Sequence, residues 1–485
     1  MIQQLSHFTF TLHVLVAIAV SARVISQRPP VGVALAWILV TVLAPFVGAA
    51  LYLIIGERRM SRGQGHRLVV ERESFRDLCN AMVADGLSAV DWSRHPGKAR
   101  EMDTLGDRTV GSHIVHGSEI ELLSETDAIF KRLRDDIDAA RKSLILEFFI
   151  WSPGGRADDI LDAVIRAAER GVSCRVLIDA IGASPWWRSG QPKRLRDAGV
   201  YLRRALPVRL SRIVFGRTDL RLHRKIVIID HRIAWTGSMN LADPEYFKQD
   251  AGVGEWVDAM SRIEGAAVAP LAAIAIGDWT VETGEDSRAV LRQSDLQHVT
   301  PTGDTDMQVI PSGPGESGDA LLHMMLAAIT AAHDRLVITT PYLIPYDALL
   351  WALRGAAARG VKVQIILPEV VDSVLTRYAS RSYYEDLMQA GVEIHLFRGG
   401  LLHTKSMTVD DHLSMFGTVN FDLRSLWLNY EVALFVYDAD FTGRLLALQE
   451  SYMADAQEVD RKAWNARPHS TRFLEDTARL TSPLL

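Results

Sequence analysis

Two apolar stretches dominate the start of the chain. Residues 8–25, "FTFTLHVLVAIAVSARVI", are interrupted only by His13 and Arg23 among ionisable positions, and residues 31–55, "VGVALAWILVTVLAPFVGAALYLII", carry no charge. A bilayer-spanning helix needs about 20 apolar residues, so the second stretch is long enough and the first borders on it. The tie between them, "SQRPP", is too short to hold a domain, and residues 1–56 are therefore expected to form a transmembrane helical hairpin. A cleaved leader is the competing reading, since "VSA" precedes Arg23, but "MIQQLSH" supplies none of the basic residues such a leader starts with. Arg58, Arg59, Arg62 and Arg67 follow the hairpin, against Arg23 and Arg28 within it, which favours the cytoplasmic side for the bulk of the chain.

Residues 57–115 are polar without a clear period and read as a connector with one or two helices. Thereafter the pattern repeats. Residues 119–151 give a strand, an amphipathic helix and a second strand, and residues 308–345 follow the same plan. "AAERGVSCRVLIDAIG" (167–182) matches "AAARGVKVQIILPEVV" (356–371), each a helix end, a terminating glycine and a buried strand. A further helix closes at "AGV" in 198–200 and again in 390–392. Strands alternating with helices imply α/β sheets rich in parallel pairing. The expected layout is a first α/β domain over 116–300 and a second over 301–485, two similar domains packed as a pseudo-twofold pair.

Composition narrows the possibilities. The 485 residues are 48% hydrophobic and 23% charged, which excludes a disordered chain. Cys79 and Cys174 are the only cysteines, so neither a disulfide framework nor a four-thiolate metal site can be built. A formal net charge of −6 speaks against nucleic acid as a partner.

The chemistry lies in a phrase written twice. "LHRKIVIIDHRIAWTGSMN" (222–240) and "LLHTKSMTVDDHLSMFGTVN" (401–420) share His, Lys, Asp, Gly, Ser or Thr, and Asn at the same offsets. Side chains two apart on a strand face the same way, so His223 with Lys225, and His403 with Lys405, can each address one ligand. Asp230 and Asp410 end the motif strands at turns, Gly237 and Gly417 suggest a close backbone approach to a ligand or a sharp bend, and Ser238, Asn240, Thr418 and Asn420 would return hydrogen-bonding groups to the place where His and Lys point. A lysine fixed beside each histidine places a cation where a divalent metal would sit, so no metal is expected. A phosphate fits better: two lysines and two asparagines can neutralise its oxygens, while two imidazoles serve the two ends of an in-line displacement, one attacking phosphorus and one protonating the leaving oxygen. A nucleophilic imidazole needs its remote nitrogen held by an acceptor. Glu431 is the candidate for the second half, and Asp258 for the first, with Asp250 and Glu255 behind it.

This pair of motifs resembles the HKD pair of the phospholipase D superfamily. The hairpin, "TGSMNLADPEYFKQDAGVGEWVDAMSRIEG", "GGLLHTKSMTVD" and "GTVNFDLRSLWLNYE" further resemble bacterial cardiolipin synthase over nearly the whole chain. The resemblance implies a phosphatidyltransferase that joins two phosphatidylglycerol molecules into cardiolipin, releases glycerol, passes through a phosphatidyl-histidine and uses no metal or other cofactor. It implies a multi-pass protein of the bacterial inner (cytoplasmic) membrane, acting on phosphatidylglycerol and other membrane phospholipids. By motif position it gives His223 and His403 as nucleophile and acid/base, with His223 favoured as nucleophile, and Lys225, Lys405, Asn240 and Asn420 as phosphate holders. Asp230 and Asp410, the remaining members of the HKD signature, are expected to organise the site instead of carrying protons.

Outside the motifs, residues 203–221 interleave arginines with apolar positions and are expected to lie on anionic headgroups near the site mouth. Trp186 and Trp187 are candidates for interfacial anchors or for the core. The C-terminal "RFLEDTARLTSPLL" reads as a docking helix, or as an amphipathic surface helix. Two rival functions stay open: a phospholipase D-type hydrolase using water as acceptor, and a non-catalytic membrane-tethered scaffold that binds anionic lipid.

Overall fold

The computed structural model describes residues 2–29, 31–56, 62–84, 86–87, 89–207, 219–248, 251–286, 290, 300–314 and 319–482. The chain divides into two compact units, Met1–Gly65 with Val208–Leu220, and His66–Pro207 with Arg221–Leu485.

The smaller unit contains the helix Ile2–Ser26, whose segment His7–Ser26 is apolar and long enough to cross a membrane. The second apolar stretch does not continue as one rod, contrary to the uninterrupted span expected from its composition. It forms Val31–Leu43, breaks at Ala44 (φ −141°, ψ 73°), and restarts as Pro45–Leu51, followed by a π turn, Tyr52–Gly56. Pro45 explains the break: a proline has no N–H to give and its ring collides with the preceding turn, so it is accommodated where a new helix begins. The restarted helix leans back on the first piece, and a Cβ at Gly48 would lie 2.8 Å from the Thr41 Cα. At about 1.5 Å per residue the 13 residues of Val31–Leu43 reach about 20 Å, short of the roughly 30 Å hydrocarbon core. Among the described residues, His7–Ser26 is therefore the one helix able to span by itself.

Helix Arg62–Ala84, which lies in the larger unit from His66 onward, and helix Gly97–Val110 precede the repeated part. Sixteen of the described strands form one sheet, and Trp256–Val257 with Leu401–Leu402 form a separate pair outside it. Its centre is the antiparallel pair Val115–Leu123 and Thr305–Ser312, one strand from each half. Outward from Val115–Leu123 lie Met260–Gly265, Ile233–Gly237, Ile226–Ile229, Ser143–Phe148, Ser173–Asp179 and Tyr201–Ala205. Outward from Thr305–Ser312 the order repeats with Asn429–Tyr437, Leu413–Gly417, Ser406–Val409, Arg335–Thr339, Lys362–Pro368 and Glu393–Phe397, edged by Ala456–Glu458. This mirrored order is that of two α/β domains related by a pseudo-dyad, with the outer strands parallel as the βαβ pattern requires.

Strand alternation sends Leu144, Leu146 and Phe148 into one core with helices Thr126–Asp138 and Arg156–Glu169, and Ile145 into another with helix Val268–Thr283. Trp186 and Trp187 belong to the first of these cores, 0% and 7% exposed, so the interfacial reading of this pair fails. Trp186 stacks on Trp151 at 4.9 Å and donates to Gln191 Oε1 at 2.7 Å, while the Trp187 indole donates to the Asp179 carbonyl at 3.0 Å. The C-terminal helix His469–Arg479 docks by Glu475, which meets Arg381 at 2.8 Å and Arg467 at 2.7 Å, and it leaves Phe473 and Leu474 exposed. Of the basic segment, residues 208–218 lie outside the described residues. Arg203 and Arg204 are exposed on an edge strand, their guanidiniums over the rings of Trp279 and Trp187 at 5.9 and 4.7 Å.

Candidate active site

The lead-in to each motif pairs with a strand of the opposite half. Arg221–Leu222 pairs in parallel with Asn429 and Tyr430, and Leu401–Leu402 with Trp256 and Val257. These short ladders end on the histidines themselves, with His223 N–H donating to the Tyr430 carbonyl at 3.0 Å and His403 N–H to the Val257 carbonyl at 2.8 Å. The residue one further along each host strand is an acid. Glu431 and Asp258 are therefore presented to the histidine of the other half.

The consequence is a crossed arrangement. His223 Nδ1 lies 2.8 Å from both Glu431 carboxylate oxygens, and His403 Nδ1 lies 2.7 Å from Asp258 Oδ1. The pairing expected from sequence, Glu431 with His403 and Asp258 with His223, placed each acid with the histidine of its own half; the parallel insertion of the lead-in strands reverses it. Of the weaker candidates, Asp250 lies outside the described residues, and Glu255 has an exposed side chain and offers only its carbonyl, to Leu401 N–H at 2.8 Å.

All four groups are buried, and burial sets their protonation. Desolvation pushes both imidazoles down to about 4, against the opposing pull of Glu431 on His223 and of Asp258 on His403. Each histidine also feels both lysines, which shows the two motifs converging on one place. Burial would raise the two acids, yet their histidines and Lys225 or Lys405 outweigh it: Glu431 lies below the usual carboxylate range and Asp258 at about 2. At neutral pH the resting site thus holds neutral imidazoles whose Nδ1–H points at a carboxylate, leaving Nε2 with its lone pair. Desolvation also lowers Lys225 to about 8, and Lys405 well below its ordinary value. Both ammoniums fold back on the carbonyl of their own motif histidine, Lys225 Nζ at 2.6 Å from the His223 oxygen and Lys405 Nζ on the His403 oxygen.

The remaining motif residues divide into those that face the site and those that build it. Thr418 donates its hydroxyl to Glu431 at 2.6 Å and receives Val432 N–H at 3.0 Å; Ser425 and Asn429 bind the other Glu431 oxygen at 2.9 and 3.2 Å. Ser238 donates to the Ala259 carbonyl at 3.2 Å, receives Ala259 N–H at 3.0 Å, and helps hold Asp258 ionised. These two hydroxyls thus brace the acids, whereas the sequence reading gave them to the substrate. Asn240 Oδ1 receives Ile150 N–H at 3.1 Å, and Asn420 Oδ1 is buried with no hydrogen-bond partner among the described residues. Gly237 and Gly417 approach backbone, not ligand: a Cβ would stand 2.5 Å from the Ala259 oxygen, just before the neighbouring strand Met260–Gly265, and 2.4 Å from the Val432 oxygen, within the neighbouring strand Asn429–Tyr437.

Asp230 and Asp410 point away from the chemistry. Asp230 accepts from the backbone N–H groups of Arg141, Lys142 and Ser143 at 2.9, 2.7 and 2.9 Å, and Asp410 from those of His333, Asp334 and Arg335 at 3.0, 2.9 and 2.9 Å. Each stands in left-handed backbone, φ 52° and 50°, and ties its turn to the start of an adjacent strand. Asp230→Asn and Asp410→Asn are expected to cost about 1–3 kcal/mol of stability each, as charge-assisted bonds are lost, while kcat stays near the parent value. Thermal melts with parallel turnover assays check this; a large fall in kcat at unchanged stability would return these residues to the chemistry.

Arg224, between His223 and Lys225, has no role in the reading of the motif from sequence. It is fully buried, donates Nε to the Glu431 carbonyl at 2.9 Å and Nη2 to the Ser312 carbonyl at 3.1 Å, and pairs through Nη1 with Asp278. Beside it, burial and the nearby Asp278 push the Glu147 carboxyl well above its usual range despite Arg224. The second half has Thr404 at the corresponding place, so the resemblance of the halves ends there. A charged residue in a motif whose neighbours are all buried was the available signal.

The chain is similar to known proteins over most of its length. The family model "Cardiolipin synthase, PLD-like domain" matches residues 133–251 and 325–452, and "Phospholipase D-nuclease N-terminal" matches residues 15–57. The chain is 42% identical to cardiolipin synthase A of Erwinia tasmaniensis over 470 residues, and 40% identical to that of Serratia proteamaculans over 467 residues, covering 96% of both chains in each comparison. Among solved structures, phosphatidylserine synthase of Haemophilus influenzae superposes with a TM-score of 0.58 at 15% identity, over 80% of this chain and 100% of that one.

Proposed function

The chain belongs to the cardiolipin synthase family of the phospholipase D superfamily, and from that premise we propose that it moves a phosphatidyl group from one phosphatidylglycerol to another, giving cardiolipin and glycerol. The observation that carries the reading is the pair of imidazoles, each with Nδ1 engaged by a carboxylate of the other half and Nε2 left for chemistry.

His223 Nε2 attacks phosphorus as the P–O bond to the glycerol headgroup breaks. The bound phosphodiester anion favours a proton on His403, which passes it from Nε2 to the departing oxygen. Glu431, freed from competing roles by Thr418, Ser425 and Asn429, faces the positive charge that develops on the phosphorylated imidazole. Lys225, Lys405, Asn240 and Asn420 take the non-bridging oxygens. In the second half-reaction a hydroxyl of a second phosphatidylglycerol gives its proton to His403 and attacks phosphorus, and the bond to His223 breaks. No step calls on a metal. Burial of the pair limits access of water, which would otherwise divert the intermediate to phosphatidate. The arrangement belongs to residues 116–300 and 301–485 acting together; neither half contains a complete histidine–acid pair.

The protein is membrane-associated through its apolar N-terminal helix. We further propose a hairpin anchor in the inner membrane, with Val31–Leu43 and Pro45–Leu51 as a bent second arm and the catalytic unit on the cytoplasmic face. The support is the charge-free sequence of that arm and the excess of arginines after it. Labelling of cysteines placed in the tie at 26–30 from the periplasm, and of none placed after residue 57, is the expected result.

The test of function is lipid product analysis with phosphatidylglycerol in micelles and chelator present. Cardiolipin plus glycerol supports the transferase; phosphatidate alone would make the protein a hydrolase. In the same assay kcat/KM is expected to fall above about pH 8. There Lys225, held at about 8 by desolvation, loses the charge it brings to the phosphate, and the substrate diester itself does not titrate. A profile flat to pH 10 would remove Lys225 from phosphate binding.

A further inference from the structure

The two histidines stand in unlike surroundings. His223 meets the Phe149 ring edge-on at 5.2 Å, the Lys225 ammonium lies 5.9 Å from the same ring, and Gly182 packs so tightly on it that a Cβ would come within 2.5 Å.

His403 instead lies against Trp256, with ring centroids 4.4 Å apart, and from Trp256 a line of polar groups leads outward. Phe247 touches the indole edge-on at 5.2 Å, and the Lys248 ammonium stands 5.5 Å from its centroid. Lys248 Nζ lies 2.9 Å from Asp372 Oδ2, and the other Asp372 oxygen receives the Tyr342 hydroxyl at 2.9 Å. Asp372 and Tyr342 follow the carboxyl ends of Lys362–Pro368 and Arg335–Thr339, where an α/β sheet presents its ligands, and Lys248 comes from the loop after the first motif. The Lys248 side chain is 45% exposed and that of Asp372 13%, so the group borders solvent.

We propose that Tyr342, Asp372 and Lys248 form the headgroup site for the accepting lipid. This rests on the reading of His403 as the acid/base. An alcohol that gives its proton to His403 must enter on that side, and a glycerol headgroup brings a second hydroxyl and its own phosphate. Asp372 accepts from the second hydroxyl, Tyr342 fixes the Asp372 carboxylate and hydrogen-bonds the same polyol, and Lys248 neutralises the acceptor's phosphate. The reacting hydroxyl loses its proton to His403 Nε2 as its oxygen bonds phosphorus and the phosphorus–His223 bond breaks. The carboxylate and tyrosine thereby select a polyol over a simple alcohol or water, since a site built for hydroxyl pairing rejects an acceptor lacking it.

The test uses a donor lipid whose leaving group is p-nitrophenol, which brings no polyol of its own, with phosphatidylglycerol or ethanol as acceptor. Tyr342→Phe and Asp372→Asn are expected to lower cardiolipin formation about 10- to 100-fold, chiefly through KM for phosphatidylglycerol, while the first-turnover burst of nitrophenol and phosphatidylethanol formation from ethanol stay near wild type. An equal fall for both acceptors would overturn the proposal by making the groups structural, and unchanged cardiolipin formation would overturn it by removing them from the acceptor. Wild-type protein that makes phosphatidylethanol but no cardiolipin would instead overturn the cardiolipin-forming reading on which the site rests.

Discussion

Replacing His223 with alanine is expected to lower phosphatidyl transfer by on the order of 10⁴-fold or more, with the protein still folded, and His403→Ala is expected to do the same. One variant lacks the nitrogen that forms the bond to phosphorus, the other the group that protonates the departing glycerol and deprotonates the acceptor. Because both act on one phosphorus, the double variant should be scarcely worse than either single one. Turnover measured beside a thermal melt checks this. Retention of half the activity in each variant would mean two independent sites.

The crossed acids make the second large prediction. Glu431→Gln and Asp258→Asn are each expected to lower turnover by about 10²- to 10⁴-fold, because an amide cannot favour the same tautomer or face a charged imidazole. The two losses should fall on different steps. With a p-nitrophenyl donor, Glu431→Gln slows the release of nitrophenol, since it disables His223. Asp258→Asn spares that release and slows the transfer to the acceptor, since it disables His403. The opposite assignment would follow if each acid served the histidine of its own half.

The doubled motif, the strand and helix plan around it and the acids themselves were legible in the sequence, because repeated offsets and hydrophobic periods are local properties. Which acid meets which histidine was not. That depends on Arg221–Leu222 and Leu401–Leu402 entering beside strands some 200 and 145 positions away, a result of the dyad and of no local pattern. The same limit explains Ser238 and Thr418: a short hydroxyl next to a conspicuous glycine can face a ligand or brace a neighbouring acid, and only the adjacent strand decides. The charge-free composition of residues 31–55 reads as one span although Pro45 stands within it, whereas the backbone breaks at Ala44. Trp256, Tyr342, Asp372 and Lys248 lie outside the doubled motif and are brought together from both halves.

A single composite site is tested most directly by locating the covalent intermediate. His403→Ala protein, given the p-nitrophenyl donor, needs no acid for the first step and lacks the base for the second, so it should accumulate one phosphatidyl group per chain. Peptide mapping under alkaline conditions should place that group on His223 Nε2, and His223→Ala should take up none. Label on His403 in the His223→Ala protein, to the same extent, would contradict the account.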